Sequence, residues 1–303
     1  AMLETHDTAP RVLRIHQPSV SRRRLLAQQA VRRQLADQGL LVPTALAWND
    51  KTVFRCGTHW AELEAHIPHA RRPHSTEVYL WIFGAMGTLH TAMRQSSVHV
   101  PRPDVATYAP PGSLQRWLPA TEQAVQHDLE AVEVATLLRS LVNQLRRQWV
   151  STTKLPSQLI HGDVRLSNLC HATSETQSSE TCPKETLYLD FGFMAMRPRV
   201  YDLAYALAFL LLAVQFNQFA EYDGLDDFDW AVVSRLVDAY ETATGIRLTE
   251  DERQALVPYT ASVPLYAAAL DGFTEAPAEK LKSRVGFLGL SAWLLAKQNG
   301  KDN

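Results

Sequence analysis

His161-Gly162-Asp163-Val164-Arg165-Leu166-Ser167-Asn168, followed further along by Leu189-Asp190-Phe191-Gly192, is the stretch on which the reading of this chain turns. An Asp, an Asn five positions on, and a second Asp opening an Asp-Phe-Gly turn are the groups that phosphoryl transfer from Mg-ATP requires. One carboxylate takes the proton of an attacking hydroxyl. One amide and one carboxylate hold metal ions that bridge the leaving phosphates. Asp163 is the candidate base, and Asn168 and Asp190 are the candidate Mg2+ ligands, oxygen donors suited to a hard cation. His161 reads as a brace for the loop. Ser167 reads as a turn cap. Arg165 has two readings, a contact to phosphate or substrate and a salt bridge to Asp202. Asp202, ahead of an apolar run, reads first as a helix N-cap.

Working outward, Leu159-Ile160 leads into the loop, Leu169-Cys170 leaves it, and Leu187-Tyr188-Leu189 enters the second Asp. Short apolar segments around exposed polar groups predict a loop held between strands. The polar stretch from Thr173 to Glu185 reads as a solvated insertion at a hairpin tip, which loop entropy tolerates.

In this order, Arg11-Val12-Leu13-Arg14-Ile15, Gly39-Leu40-Leu41-Val42-Pro43, Gly87-Thr88-Leu89-His90-Thr91-Ala92, the His161–Asn168 loop, Asp190-Phe191-Gly192 and Val200-Tyr201-Asp202-Leu203-Ala204-Tyr205 resemble the aminoglycoside phosphotransferase and choline kinase superfamily, closest to its homoserine-kinase-like branch. The resemblance implies an α+β, two-lobed protein-kinase-like fold. It implies a small β-rich lobe over residues 1–67 that meets the nucleotide, and a large, mostly helical lobe over 68–303 with the catalytic loop and acceptor site. It implies ATP as co-substrate, Mg2+, and a small-molecule hydroxyl acceptor. Backbone groups near Glu64 and His66 would meet the adenine, Arg14 would stand where a phosphate-binding lysine is usual, and a matching Asp202 would support the catalytic loop. Two departures accompany it. Gln28 falls where the helix acid that braces the cation is expected. No glycine precedes Arg14, so the glycine-rich phosphate cover is expected to be missing or cut away, with one strand near Leu3–His6. A catalytically weak binding or regulatory relative and a Ser/Thr protein kinase are the alternatives.

At 303 residues, with 46% hydrophobic and 20% charged residues and a net charge of −2, the chain has the composition of a soluble globular protein without an electrostatic case for nucleic acid. Cys56, Cys170 and Cys182 form no metal-ligand pattern. So low and odd a count suits a reducing, cytoplasmic setting. The apolar run Leu203–Val214 is too short to cross a bilayer and reads as a buried helix.

Hydrophobic periodicity predicts strands at Val12–Ile15, Thr52–Arg55 and Trp60–Ala65, with a turn at Gly57-Thr58. It predicts helices at Arg22–Gln38, Glu77–Met93, Leu129–Trp149, Asp202–Phe219, Trp230–Thr244, Glu250–Leu270 and Ala276–Lys297. The arginines at 22–24 and 32–33 read as a solvated face. Pro101, Pro103, Pro110 and Pro111 mark an irregular connection. Glu221, Asp223, Asp226, Asp227 and Asp229, interleaved with Tyr222, Phe228 and Trp230, form a candidate site for an amine-bearing acceptor. The competing reading is an acidic solvated loop. Glu250-Asp251-Glu252 complements a helix dipole and needs no ligand.

Overall fold

The computed structural model describes residues 2–5, 8–70, 72–173 and 185–299; most of the expected 173–185 insertion lies outside them. An antiparallel sheet forms the first part. It contains β1 (Met2–Thr5), β2 (Thr8–Ile15), β3 (Ala45–Leu46), β4 (Phe54–Cys56) and β5 (His59–Ala65). The strand order is β1-β2-β5-β3, with β4 also on β5. Register sets Arg14 opposite Glu62 and Val12 opposite Glu64. The β4–β5 turn is the expected one, with Gly57 at φ 60°. Helix α1 (Arg22–Asp37) lies on this sheet, capped by Ser21.

Two of the arginines expected on a solvated face of α1 are buried instead: Arg24 is 4% and Arg32 5% exposed. Each has a set of oxygen acceptors waiting for it, which is what makes a buried guanidinium tolerable.

The larger, helical part begins after β6 (His69–Ala70) with α2 (Thr76–Arg94), α3 (Pro111–Val125) and α4 (Leu129–Gln148). The strands β7 (Ser157–Ile160), β8 (Leu169–Ala172), β9 (Thr186–Tyr188) and β10 (Ala195–Pro198) are a small inset within it. β10 pairs with β7, and β8 lies between β6 and β9. Then come α5 (Val200–Gln215), α6 (Ala231–Thr244), α7 (Glu250–Leu270), α8 (Pro277–Lys282) and α9 (Val285–Asn299).

α5 is the apolar run, buried as expected; Leu203, Leu207, Leu210 and Leu211 are inaccessible to solvent. Each such leucine contributes about 1.5–3 kcal/mol by burial. α2 and α6 cross closely at Gly87, where a Cβ would come within 2.7 Å of Ala243 and 2.8 Å of the Tyr240 carbonyl. That contact sets His90, one turn on, against α6 and α5. No helix among the described residues is long and apolar enough to cross a membrane.

The expected 276–297 helix is two helices, broken at residues 283–284. The proline-rich connection conceals α3, because Pro111 occupies the first helical turn, where a missing N–H costs nothing.

Candidate active site

The His161–Asn168 loop bridges β7 and β8 and is fixed from beneath by α5. The Asp202 carboxylate accepts the amides of His161 at 2.9 Å and Gly162 at 2.8 Å. His90 Nε2 holds the same carboxylate at 2.9 Å, and its Nδ1 lies 2.9 Å from the Tyr240 hydroxyl. Asp202 is thus no N-cap: it stands in the first turn of α5 and reaches out to the loop. Gly162 has φ 84°, and a Cβ there would come within 2.5 Å of the Phe193 carbonyl oxygen. Only glycine fits both conditions. The Thr107 hydroxyl donates to the Gly162 carbonyl at 2.7 Å.

His161 ties this loop to the Asp-Phe-Gly turn. Its Nε2 is 2.8 Å from the Leu189 carbonyl and therefore donates. Its Nδ1 is then free to accept the Asp163 amide at 3.2 Å. The Leu189 amide donates back to the Asn168 carbonyl at 2.8 Å.

Asp163 is 2% exposed. The Asn168 side-chain amide donates to its Oδ2 and to its backbone carbonyl, both at 2.8 Å. Oδ1 is buried and accepts no hydrogen bond. Arg165 Nε lies 3.4 Å from it, close enough for charge attraction but not aligned to donate. This neighbour is neither of the two expected for Arg165: the salt bridge to Asp202 does not form, because that carboxylate is engaged by His90 and by the His161 and Gly162 amides. Burial pushes the Asp163 carboxyl above its ordinary range, against the opposing effects of Arg165, His161 and the facing Tyr205 hydroxyl. A buried carboxylate with one clamped and one unclaimed oxygen can receive a proton.

Asp190 sits in the left-handed region at φ 59°, ψ 66°, an unusual conformation for a residue other than glycine. Arg14 NH1 donates to its Oδ1 at 3.3 Å. Arg14 Nε donates to Glu64 Oε2 at 3.4 Å. Arg32, from α1, makes ion pairs with both Glu62 and Glu64. Glu62 also accepts Gln29 Nε2 at 2.8 Å and lies 3.0 Å from His16 Nε2. Burial alone would push Glu62 up; the bonds from His16 and Gln29 and the Arg32 charge outweigh it and hold the carboxyl at about 2. On the helix side, Gln28 Nε2 donates to the carbonyls of Phe191 and Gly192 at 3.0 and 3.2 Å. Arg24 NH2 donates to those of Gly192 and Met194 at 2.7 and 2.9 Å. α1 therefore grips the backbone of the Asp-Phe-Gly turn rather than the side chain of Arg14.

A cavity of about 490 Å³ opens between β2, α1 and this turn, with Arg14, Arg24, Gln28, Asp190 and Gly192 in its walls. Glu64 and His66 do not line it. The Glu64 side chain is committed to Arg14 and Arg32. The His66 amide donates to the Pro10 carbonyl at 3.0 Å, so the expected adenine contact does not come from that group. The acidic loop is likewise committed in part. Glu221 accepts the Thr76 amide at the start of α2 at 3.1 Å and also its hydroxyl. Asp227 accepts the Asp223 amide at 3.3 Å and Asp229 the Ala231 amide at 2.9 Å. Asp226 is exposed. These contacts do the work of caps and turns.

The donor set fits a magnesium ion. Because the Asn168 nitrogen faces Asp163, its Oδ1 is directed elsewhere, with only the Ser167 hydroxyl near it, at 3.3 Å. Asp190 adds a carboxylate. Among the described residues no group of three or more His, Cys, Asp or Glu could hold a metal.

The sequence reading missed Glu64 as the brace of Arg14, along with Arg24, Thr107 and Tyr205. Only Tyr205 carried a signal, one turn beyond Tyr201-Asp202 on the same helix.

The family model for the phosphotransferase enzyme family matches residues 2–236. No curated protein matches in sequence. Solved structures do match in fold. A microcompartment-associated aminopropanol kinase is 16% identical with a TM-score of 0.72, over 98% of this chain and 89% of that one. Amicoumacin kinase, solved with AMP-PNP and Ca2+, is 12% identical with a TM-score of 0.66, over 98% and 84%. A choline kinase from Streptococcus pneumoniae is 10% identical with a TM-score of 0.55, over 95% and 88%. With its two-part α+β fold, its loop-borne Asp163 and Asn168 and its Asp-Phe-Gly turn in place, the chain belongs to the phosphotransferase enzyme family.

Proposed function

We propose that the protein transfers the γ-phosphoryl group of ATP, with Mg2+, to a hydroxyl of a small molecule. The observation that carries this reading is Asp163: buried, clamped by Asn168 through one oxygen and open at the other. The kinases named above act on small alcohols or bind a nucleotide analogue, which supports the same reading. The sheet part, taken as residues 1–67, would serve the nucleotide, and residues 68–303 the acceptor. The low cysteine count supports a cytoplasmic setting.

Asp163 orients the acceptor hydroxyl and takes its proton as the oxygen–phosphorus bond forms. The bond from the γ-phosphorus to the bridging oxygen breaks, ADP leaves, and the proton passes to solvent. Arg14 lies where it can neutralise phosphate charge, held by Glu64. Asn168 and Asp190 would hold the metal, whose bound charge stabilises the phosphate oxygens. Arg24 and Gln28 keep the turn that carries Asp190 in place. The capping contacts of Glu221, Asp227 and Asp229 give part of the acidic loop a structural use that needs no amine on the acceptor. Calorimetric titration with Mg-AMP-PNP, followed by ADP release over a panel of alcohols, tests the reading. Absence of nucleotide binding would overturn it.

A further inference from the structure

A second cavity, of about 270 Å³, opens on the Arg165 side of the catalytic loop. Its walls include Arg72 and His74 ahead of α2, Tyr79 on α2, Arg165 and Ser167 on the loop, and Phe209 on α5. It is beside the base: Arg165 reaches to 3.4 Å from Asp163 Oδ1, the open oxygen. α5 brings Phe209 to the cavity and, one turn earlier, Tyr205 to Asp163. An acceptor whose hydroxyl meets Asp163 has this space for the rest of itself.

The charge of the cavity is one-sided. Two guanidinium groups line it and no carboxylate does. Among the described residues, Arg72 makes no ion pair or hydrogen bond, although it is only partly exposed. Arg165 has Asp163 as its charged neighbour, and its buried Nε completes no hydrogen bond. His74 lies 3.1 Å from the Tyr79 hydroxyl, and burial pushes its pKa down, which favours the neutral imidazole. Glu221, also near the start of α2, has its carboxylate on Thr76. A partly buried guanidinium without a partner, as at Arg72, is costly, and the planar forks of both arginines match a carboxylate or phosphate. An ammonium placed among them would be repelled.

We propose that the acceptor is a small hydroxylated anion, its carboxylate or phosphate held by Arg72 and Arg165 and its hydroxyl turned to Asp163. This rests on the phosphotransferase reading and names its substrate class. The transferred group ends as a phosphate ester on the acceptor oxygen, with the hydroxyl proton taken by Asp163 and ADP as leaving group.

The test uses a matched set with one carbon skeleton: glycerate, glycerol 3-phosphate, glycerol and 3-amino-1,2-propanediol. Binding of each is measured by ligand-observed NMR on the full chain with Mg-AMP-PNP saturating. At least one of the two anions is expected to bind about tenfold or more tighter than glycerol, with the amine weakest, and Arg72→Gln should bring that ratio near one. Nucleotide affinity and the melting curve of the same variant report separately on the phosphotransferase reading and on folding. An amine preference, a flat order, no binding of either anion, or a ratio unmoved in folded Arg72→Gln overturns the proposal. So does an anion preference that appears only without nucleotide, since the arginines would then serve the nucleotide's own phosphates.

Discussion

Glu64 holds Arg14 from the neighbouring strand. Its Oε2 accepts the Arg14 Nε at 3.4 Å while its other oxygen meets Arg32. The acid that braces Arg14 therefore sits on β5, while α1 carries Gln28 where a helix acid was expected. The negative charge has moved from helix to strand, and Gln28 is free to grip the turn instead.

Glu64→Gln should loosen Arg14 without removing it. Mg-AMP-PNP affinity is expected to fall about 3- to 30-fold, the loss of one charge-assisted hydrogen bond. Calorimetry at a temperature where the variant is folded measures this. An unchanged dissociation constant would mean that Asp190 alone positions Arg14.

Asp163→Ala should abolish transfer and leave nucleotide binding nearly intact. A positioned base contributes roughly 10²- to 10⁴-fold, and this residue also orients the acceptor. A coupled ADP assay showing full turnover in the variant would refute the role given to the loop.

The acidic loop offers a contrast. Glu221 caps α2 and Asp229 meets the Ala231 amide. Glu221→Gln should lower stability by about 1 kcal/mol, as for loss of a helix cap. Nucleotide affinity should not change. A variant that melts like the wild type but no longer turns over an amine-bearing alcohol would restore the loop as an acceptor site.

What was legible in the sequence was local. His161 to Asn168 is eight residues long, so spacing alone brings Asp163 and Asn168 together, and the apolar period of α5 and α7 reads directly as burial. What was hidden arrives through tertiary structure. Glu64 meets Arg14 because strands fifty residues apart pair. Thr107 meets Gly162 because a proline-rich connection crosses the loop. Arg24 and Arg32 look like surface charge in sequence, since nothing local shows that carbonyls and glutamates await them. Pro110-Pro111-Gly112 reads as irregular chain until Pro111 is seen to begin a helix.

The Glu62 network predicts an acid limb in stability. Its carboxyl lies at about 2 in the folded chain against 4.5 for an ordinary glutamate. The folded-state pKa is depressed, so the stabilisation is complete above about 4.5 and is lost as pH falls toward about 2. Urea midpoints from pH 7 to 3 should fall, most steeply below about 4.5. Glu62→Gln should flatten that limb and cost about 3 kcal/mol at neutral pH, because it removes one partner of buried Arg32. Parallel pH profiles in the two proteins would show that the network is not what titrates.

Asp190→Asn tests the metal assignment by binding rather than turnover. The substitution keeps size and hydrogen-bonding capacity, and asparagine also tolerates the left-handed conformation at φ 59°. Two things change: an anionic ligand of a doubly charged ion becomes neutral, and Arg14 loses one of its two carboxylate partners. These effects separate in a magnesium titration. Loss of the metal ligand should weaken AMP-PNP binding sharply at low Mg2+ and be overcome as Mg2+ rises. Loss of the Arg14 contact should leave a smaller deficit that Mg2+ does not repair, matching the one in Glu64→Gln. Should the titration superpose on the wild type at every Mg2+ concentration, Asp190 carries neither role and its turn is only a turn.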